Sequence, residues 1–193
     1  MGEALETRVS QLLDGRAVVM VGMMGAGKSS VGRRLALRLG LPFVDADSEI
    51  EQAANATINE IFDRHGEAYF RDGERRVIRR LLDGAPKVLA TGGGAFMQPE
   101  TRAAIKQNAI SIWLKADREL ILSRVKRRSN RPLLKADPES VIDRLIAERH
   151  PTYAEADIHV QSRDVAHDVV IDDILTALAD YLGREVAERA PAE

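Results

Sequence analysis

The sequence contains no cysteine, which excludes both a disulfide scaffold and a thiolate zinc site. No apolar run reaches the ~18 residues that a membrane-spanning helix requires. The opening Met1–Asp14 lacks the basic start and apolar core of a secretion signal, so Asn55-Ala56-Thr57 carries no weight as a glycosylation acceptor. Internal repeats and low-complexity tracts are absent as well. His65, His150, His159 and His167 do not show metal-ligand spacing and read as surface or structural residues. These absences leave a cytoplasmic protein, away from membranes, as the expectation. The 193 residues, 45% hydrophobic and 30% charged, are enough for one compact domain and argue against disorder.

A net charge of -2 says little, but its distribution is uneven. Residues 115–135 hold eight Lys/Arg against Asp117 and Glu119, leaving 20 basic and 28 acidic side chains elsewhere. A local basic patch on an acidic chain suits an anionic ligand better than a duplex-wide nucleic-acid footprint. The alternative is a solvated helix face.

Short apolar runs alternate with amphipathic stretches. Strands are expected at Ala17–Val21, Pro42–Asp45, Lys87–Ala90, Ala109–Leu114 and Asp157–Val160. Val31, Leu35 and Leu39, then Val170, Ile174 and Leu178, recur at helical spacing. Thr57 with Glu60 has capping-box spacing, and Asp137-Pro138 places a cap before a first-turn proline. Asp83-Gly84 ends a long stretch that begins near Glu67. This rhythm implies an α/β fold with a mainly parallel sheet covered on both faces. Residues 1–15 read as an added helix, and 183–193 as a polar tail prone to fraying.

Gly22-Met23-Met24-Gly25-Ala26-Gly27-Lys28-Ser29 satisfies G-x-x-x-x-G-K-[ST], after one apolar strand and before a helix. Glycines bring successive backbone N–H groups close to phosphate oxygens, and the helix N-terminus adds partial positive charge. Lys28 reaches the β- and γ-phosphates, and the Ser29 hydroxyl suits Mg²⁺. The motif therefore implies a bound nucleoside triphosphate. An Asn-Lys-x-Asp guanine-reading segment is missing, and the chain is short for a motor ATPase, so a small kinase fits best. Met23 and Met24 are expected to pack beneath the loop, and Trp113 to be core.

Three further constellations accompany the loop. In Phe43-Val44-Asp45-Ala46-Asp47, strand alternation would aim Asp45 and Asp47 together at the carboxyl edge of the sheet. One carboxylate can then hold a metal through water while the other orients or deprotonates a hydroxyl. In Phe70-Arg71-Asp72-Gly73-Glu74, Glu74 at i+3 could fix the Arg71 fork for a substrate carboxylate. A surface ion pair is the other reading. Thr91-Gly92-Gly93-Gly94 follows the third strand, suggesting backbone close to a ligand or else a plain flexible turn.

With these motifs in order, followed by Arg131-Pro132-Leu133-Leu134 and the R-x-P-x-Y of Arg149–Tyr153, the chain closely resembles the shikimate kinase family over about residues 16–180. The resemblance implies a P-loop kinase fold of nucleoside-monophosphate-kinase type. Its three α/β/α layers enclose a five-stranded parallel sheet ordered 2-3-1-4-5, and the kinase domain would be a single unit over 16–182. It also implies transfer of the γ-phosphate of ATP to the 3-hydroxyl of shikimate, a step of aromatic amino acid biosynthesis. By this resemblance Gly25, Ala26, Gly27, Lys28, Ser29 and Ser30 bind ATP, Ser29 ligates Mg²⁺, and Asp45 holds it through water. Asp47 acts on the attacking hydroxyl within an acceptor region of about 46–75. Arg71 and Arg149 grip the carboxylate, Gly93 and Gly94 contact shikimate through backbone, and Phe62 and Phe70 line the acceptor pocket. Arg131 closes over the transferring phosphate from a lid of about 124–136, and Arg124 stacks near adenine. The adenine-flanking loop would be 161–168. A monomer that binds no nucleic acid is expected.

Overall fold

The computed structural model describes residues 4–127 and 137–189. Arg131 and the rest of its Arg-Pro-Leu-Leu run lie outside the described residues. The sheet is wholly parallel, with β1 (Ala17–Val21) at its centre. β2 (Phe43–Asp45), β3 (Val88–Ala90), β4 (Ala109–Ala116) and β5 (Ile158–Ser162) complete the order β2-β3-β1-β4-β5. The expected order is borne out.

β1 reads as an unbroken apolar run because both of its faces are buried. Val18 and Met20 meet one layer, made by α1 (Leu5–Leu12), α2 (Lys28–Leu39) and α8 (His167–Arg189) through Val9, Leu35, Ile171 and Ile174. Val19 and Val21 meet the other. Ile78 of α4 (Ile58–Leu82), Ile105 of α5 (Pro99–Asn108), Ile121 of α6 (Arg118–Lys126) and Ile142 of α7 (Pro138–Tyr153) build that layer. No helix among the described residues is long and apolar enough to cross a membrane.

Helix ends follow local chemistry. The Thr57 hydroxyl accepts from the Glu60 N–H while the Glu60 carboxylate accepts from the Thr57 N–H, closing the capping box that starts α4. Asp137 caps α7 by accepting from Ser140 N at 3.1 Å. α4 is broken at Gly66, whose backbone (φ 78°, ψ 177°) is not helical, so its second part starts where the sequence suggested, near Glu67.

The structure departs from expectation in four places. Asp47 does not continue β2. The Asp45 carboxylate accepts the Asp47 N–H at 3.1 Å and starts α3 (Ala46–Ala54) at once, so strand alternation is not what aims Asp47. β4 and β5 extend further together, with Lys115 opposite Gln161 and Ala116 opposite Ser162. Asp157 stays out of β5 and turns its carboxylate onto the Ser111 N–H (2.8 Å) and hydroxyl (2.6 Å). The tail expected to fray is helical to Arg189, anchored by buried Leu182 and by an Arg16–Glu185 ion pair at 2.8 Å.

The segment before β1 is part of the core. Val9 and the residue after α1, Leu13, are buried against α8, and Glu6 pairs with Arg38 on α2. Truncating Leu13 to alanine is expected to cost about 2–5 kcal/mol through lost burial and a residual cavity. Urea unfolding should show a lower midpoint at unchanged slope.

Candidate active site

The loop from Gly22 to Gly27 joins β1 to α2 and leaves its helix N-terminus facing a cleft of about 660 Å³. Lys28 is only 9% exposed. Its ammonium donates to the carbonyls of Gly22 (2.8 Å) and Met23 (3.0 Å), folding the loop around its own cation. Next to it the Ser29 hydroxyl donates to Asp45 Oδ2 at 2.7 Å, bringing a hydroxyl and a carboxylate to one place from the ends of α2 and β2. Met23 is buried beneath the loop as expected, but Met24 lines the cleft. Ala26, expected to bind ATP, is wholly buried and does not line the cleft; its carbonyl is taken up by Arg124 and Ser162.

The second half of the cleft gathers opposite charges around the triple glycine. Arg71 donates to Glu74 Oε2 at 2.7 Å and to Glu67 at 3.2 Å, with its guanidinium over the Phe70 ring. Glu74 is 1% exposed. Burial raises its carboxyl above the usual carboxylate range against the pull of Arg71, and the charge of Asp47 adds to the rise. Burial also works against the Arg71 cation, but Glu74 and Glu67 outweigh it and hold the guanidinium charged.

Each glycine of the turn has a charged side chain where its own would be. A Cβ at Gly92 would lie 2.8 Å from Asp47 Oδ1 and 3.0 Å from Glu74 Oε1. One at Gly93 would lie 3.3 Å from Arg149 Nη1, and one at Gly94 2.6 Å from Arg71 Cζ. The turn is therefore a packed surface, which disposes of the flexible-turn reading. The Tyr153 hydroxyl fixes it from below by donating to the Gly93 carbonyl. Burial pushes that phenol up to about 12, so it stays a donor at neutral pH.

Phe62 and Phe70 form the apolar wall, with ring centroids 4.7 Å apart across the break in α4. At the far end of the cleft, beside β5, Arg124 donates from Nη1 to the Gly25 and Ala26 carbonyls and from Nη2 to the Arg163 carbonyl. The guanidinium expected to stack near adenine is thus braced against the phosphate loop. Arg163, Asp164, Val165 and His167 line the cleft beyond it.

A fold of this topology with a phosphate loop serves many acceptors, so the whole chain has to decide between them. The shikimate kinase family model matches residues 24–179. The chain belongs to the shikimate kinase family. It is 64% identical over 178 residues to the shikimate kinase of Rhodopseudomonas palustris, covering 92% of this chain and 88% of that one. To the shikimate kinase of Bradyrhizobium diazoefficiens it is 58% identical over 189 residues, covering 97% and 91%. Among solved structures, the shikimate kinase from Acinetobacter baumannii in complex with shikimate superposes with a TM-score of 0.83 at 39% identity, covering 89% of this chain and 97% of that one.

The chain brings nearly all of its sequence-predicted site residues into a single cleft. Gly25, Gly27, Lys28, Ser29 and Ser30 line it with Asp45, Asp47, Phe62, Phe70, Arg71, Gly93, Gly94, Arg124 and Arg149. Glu74, read from the sequence only as a brace for Arg71, stands in the floor of the cleft beside Asp47. Two residues went unassigned in the sequence. Tyr153 could have been found from its i+4 spacing to Arg149 on one helix face. Ser162 was read only as part of the 161–168 loop, because the expected end of β5 fell at Val160; it is instead the last residue of β5. Trp113 is core as expected, edge-on to His150 and His159.

Proposed function

We propose that this protein transfers the γ-phosphoryl group of ATP to the 3-hydroxyl of shikimate, giving shikimate 3-phosphate and ADP. The observation that carries the reading is a single cleft with a phosphate loop at one end and Asp47, Arg71 and Arg149 at the other. Two guanidinium forks suit a carboxylate, which fixes one end of a small hydroxylated acid. Glu74 holds the Arg71 fork in place, and the Phe62–Phe70 wall takes the apolar face of the ring. In this reading Asp47 orients the attacking hydroxyl and accepts its proton.

The hydroxyl oxygen forms its bond to the γ-phosphorus as the bond to the β,γ-bridging oxygen breaks in line, with no covalent enzyme intermediate. Lys28 and the N–H groups at the start of α2 stabilise negative charge on the phosphate oxygens. Arg131, by the family resemblance, brings a further cation to the transferring group.

The donor set at the loop fits Mg²⁺. Ser29 and Asp45 supply hard oxygen atoms in contact at 2.7 Å. That matches an ion held by few protein groups plus water and substrate phosphates. When bound, Mg²⁺ neutralises charge on the phosphate oxygens. Ser29 would hold it directly, and Asp45 through water.

A coupled assay for ADP, run with ATP and Mg²⁺ in the presence and absence of shikimate, tests the reading. ADP release should depend on shikimate. Release at the same rate without it, or none with it, would overturn the assignment.

A further inference from the structure

We infer that Ser162 is a positioning residue for the phosphate loop: it holds the Ala26–Gly27 peptide in the orientation that aims the Gly27 N–H at the nucleotide phosphates. Ser162 is the last residue of β5 and is 3% exposed. Its hydroxyl donates to the Ala26 carbonyl at 2.8 Å and accepts from Arg124 Nη1 at 3.1 Å. Arg124 Nη1 donates to the same Ala26 carbonyl at 3.1 Å. The three groups form a closed triangle, and the Ala26 oxygen receives two donors from outside its own loop.

The consequence follows from peptide geometry. The chain has no cis bond among the described residues, and a trans peptide is planar, with its C=O and N–H pointing in opposite directions. Fixing the Ala26 carbonyl toward β5 and α6 therefore fixes the Gly27 N–H the other way. Gly27 lines the cleft and is the N-cap of α2, so its N–H is one of the four at a helix start without an intrahelical acceptor. That N–H is free to serve an anion.

The clamp is needed because of what makes the loop useful. Gly27, at φ 101°, has no Cβ to oppose rotation of the peptide before it. Rotated by half a turn, the same peptide would present a carbonyl oxygen to the phosphates, replacing an attraction with a repulsion. The glycines let the backbone come close, and Ser162 with Arg124 decides which end of the dipole faces inward. Ser162 reaches the loop from β5, on the opposite side of β1 from β2 and β3, after which Asp47 and the triple glycine follow in the chain. Its influence should therefore fall on the nucleotide and spare the acceptor.

The inference rests on the loop being the triphosphate cradle, and its test does not require the acceptor. ADP binding with Mg²⁺ is measured by titration calorimetry on the intact protein, and both KM values are measured in the coupled assay. Ser162→Ala should weaken ADP binding and raise the ATP KM by about five- to tenfold, the size expected for one misaligned charge-assisted hydrogen bond partly rescued by Arg124. The shikimate KM should change less than about twofold, and Ser162→Thr, which keeps the hydroxyl, should bind ADP nearly as the parent does. If the alanine variant does not fold, Ser162→Cys, close in size and a weaker donor, carries the same expectation. Unchanged ADP affinity in the alanine variant, or equal rises in both KM values, would overturn the role. A parent protein that does not bind ADP would overturn the cradle itself, and one that binds ADP but ignores shikimate would overturn only the acceptor assignment.

Discussion

Replacing Asp47 by asparagine is expected to lower turnover by about 10²–10⁴-fold, the range typical for loss of a positioned general base. Asparagine keeps the size of the side chain but cannot take a proton from the attacking hydroxyl. The α3 start should survive, because it depends on the Asp47 backbone N–H donating to Asp45 and not on the Asp47 carboxylate. ATP affinity should hardly move, since Lys28, Ser29 and the loop remain. Single-turnover kinetics with saturating ATP and shikimate would separate the chemical step from binding. Near-parental turnover in this variant would remove Asp47 from the chemistry and leave it a substrate-binding group only.

Gly94→Ala should raise the shikimate KM by about tenfold or more, with ATP affinity retained. The added methyl would lie 2.6 Å from Arg71 Cζ, well inside van der Waals contact, so one of the two must move. The backbone is held next door by Tyr153 on the Gly93 carbonyl, and Arg71 by Glu74 at 2.7 Å. The side chain is the softer partner, and its displacement would spoil the two-pronged, charge-assisted grip proposed for it, of the kind worth about 1.5–3 kcal/mol per hydrogen bond. Arg71→Lys is the matched comparison. An ammonium cannot reproduce the fork, so its shikimate KM should rise similarly while the turn stays untouched. If Gly94→Ala binds shikimate normally and Arg71→Lys does not, the close packing of the turn has no bearing on the acceptor.

The elements read best from the sequence were those in which the local code and the tertiary demand agree. Ala17–Val21 announces a strand buried on both faces, and Thr57 with Glu60 announces a helix start that the hydrogen bonds confirm. The phosphate loop was legible because its chemistry needs glycines at fixed spacing. Asp47 was placed near the right site for an incorrect reason. Capping by Asp45 ends β2 earlier than alternation assumed, and only the three-dimensional turn shows it. The ends of β4 and β5 were short in the prediction because Lys115 and Gln161 look like loop residues until they are paired across the sheet. Ser162 and Tyr153 act through hydroxyls on carbonyls distant in sequence, at 136 and 60 residues' separation, and composition carries no trace of such contacts. The role of the first helix was invisible for the same reason, since Val9 and Leu13 find their partners on the last one.

The position of β1 has a consequence for how the chain acquires its chemistry during synthesis. The first of the five strands in chain order lies in the middle of the finished sheet, and it stays unflanked until β3 and then β4 have been made. Its glycine-bounded turn meets Arg124 once α6 is made, and Ser162 only after the last of the five strands. A fragment that stops short of β5 therefore lacks the contact from Ser162 to the Ala26 carbonyl that the complete fold makes.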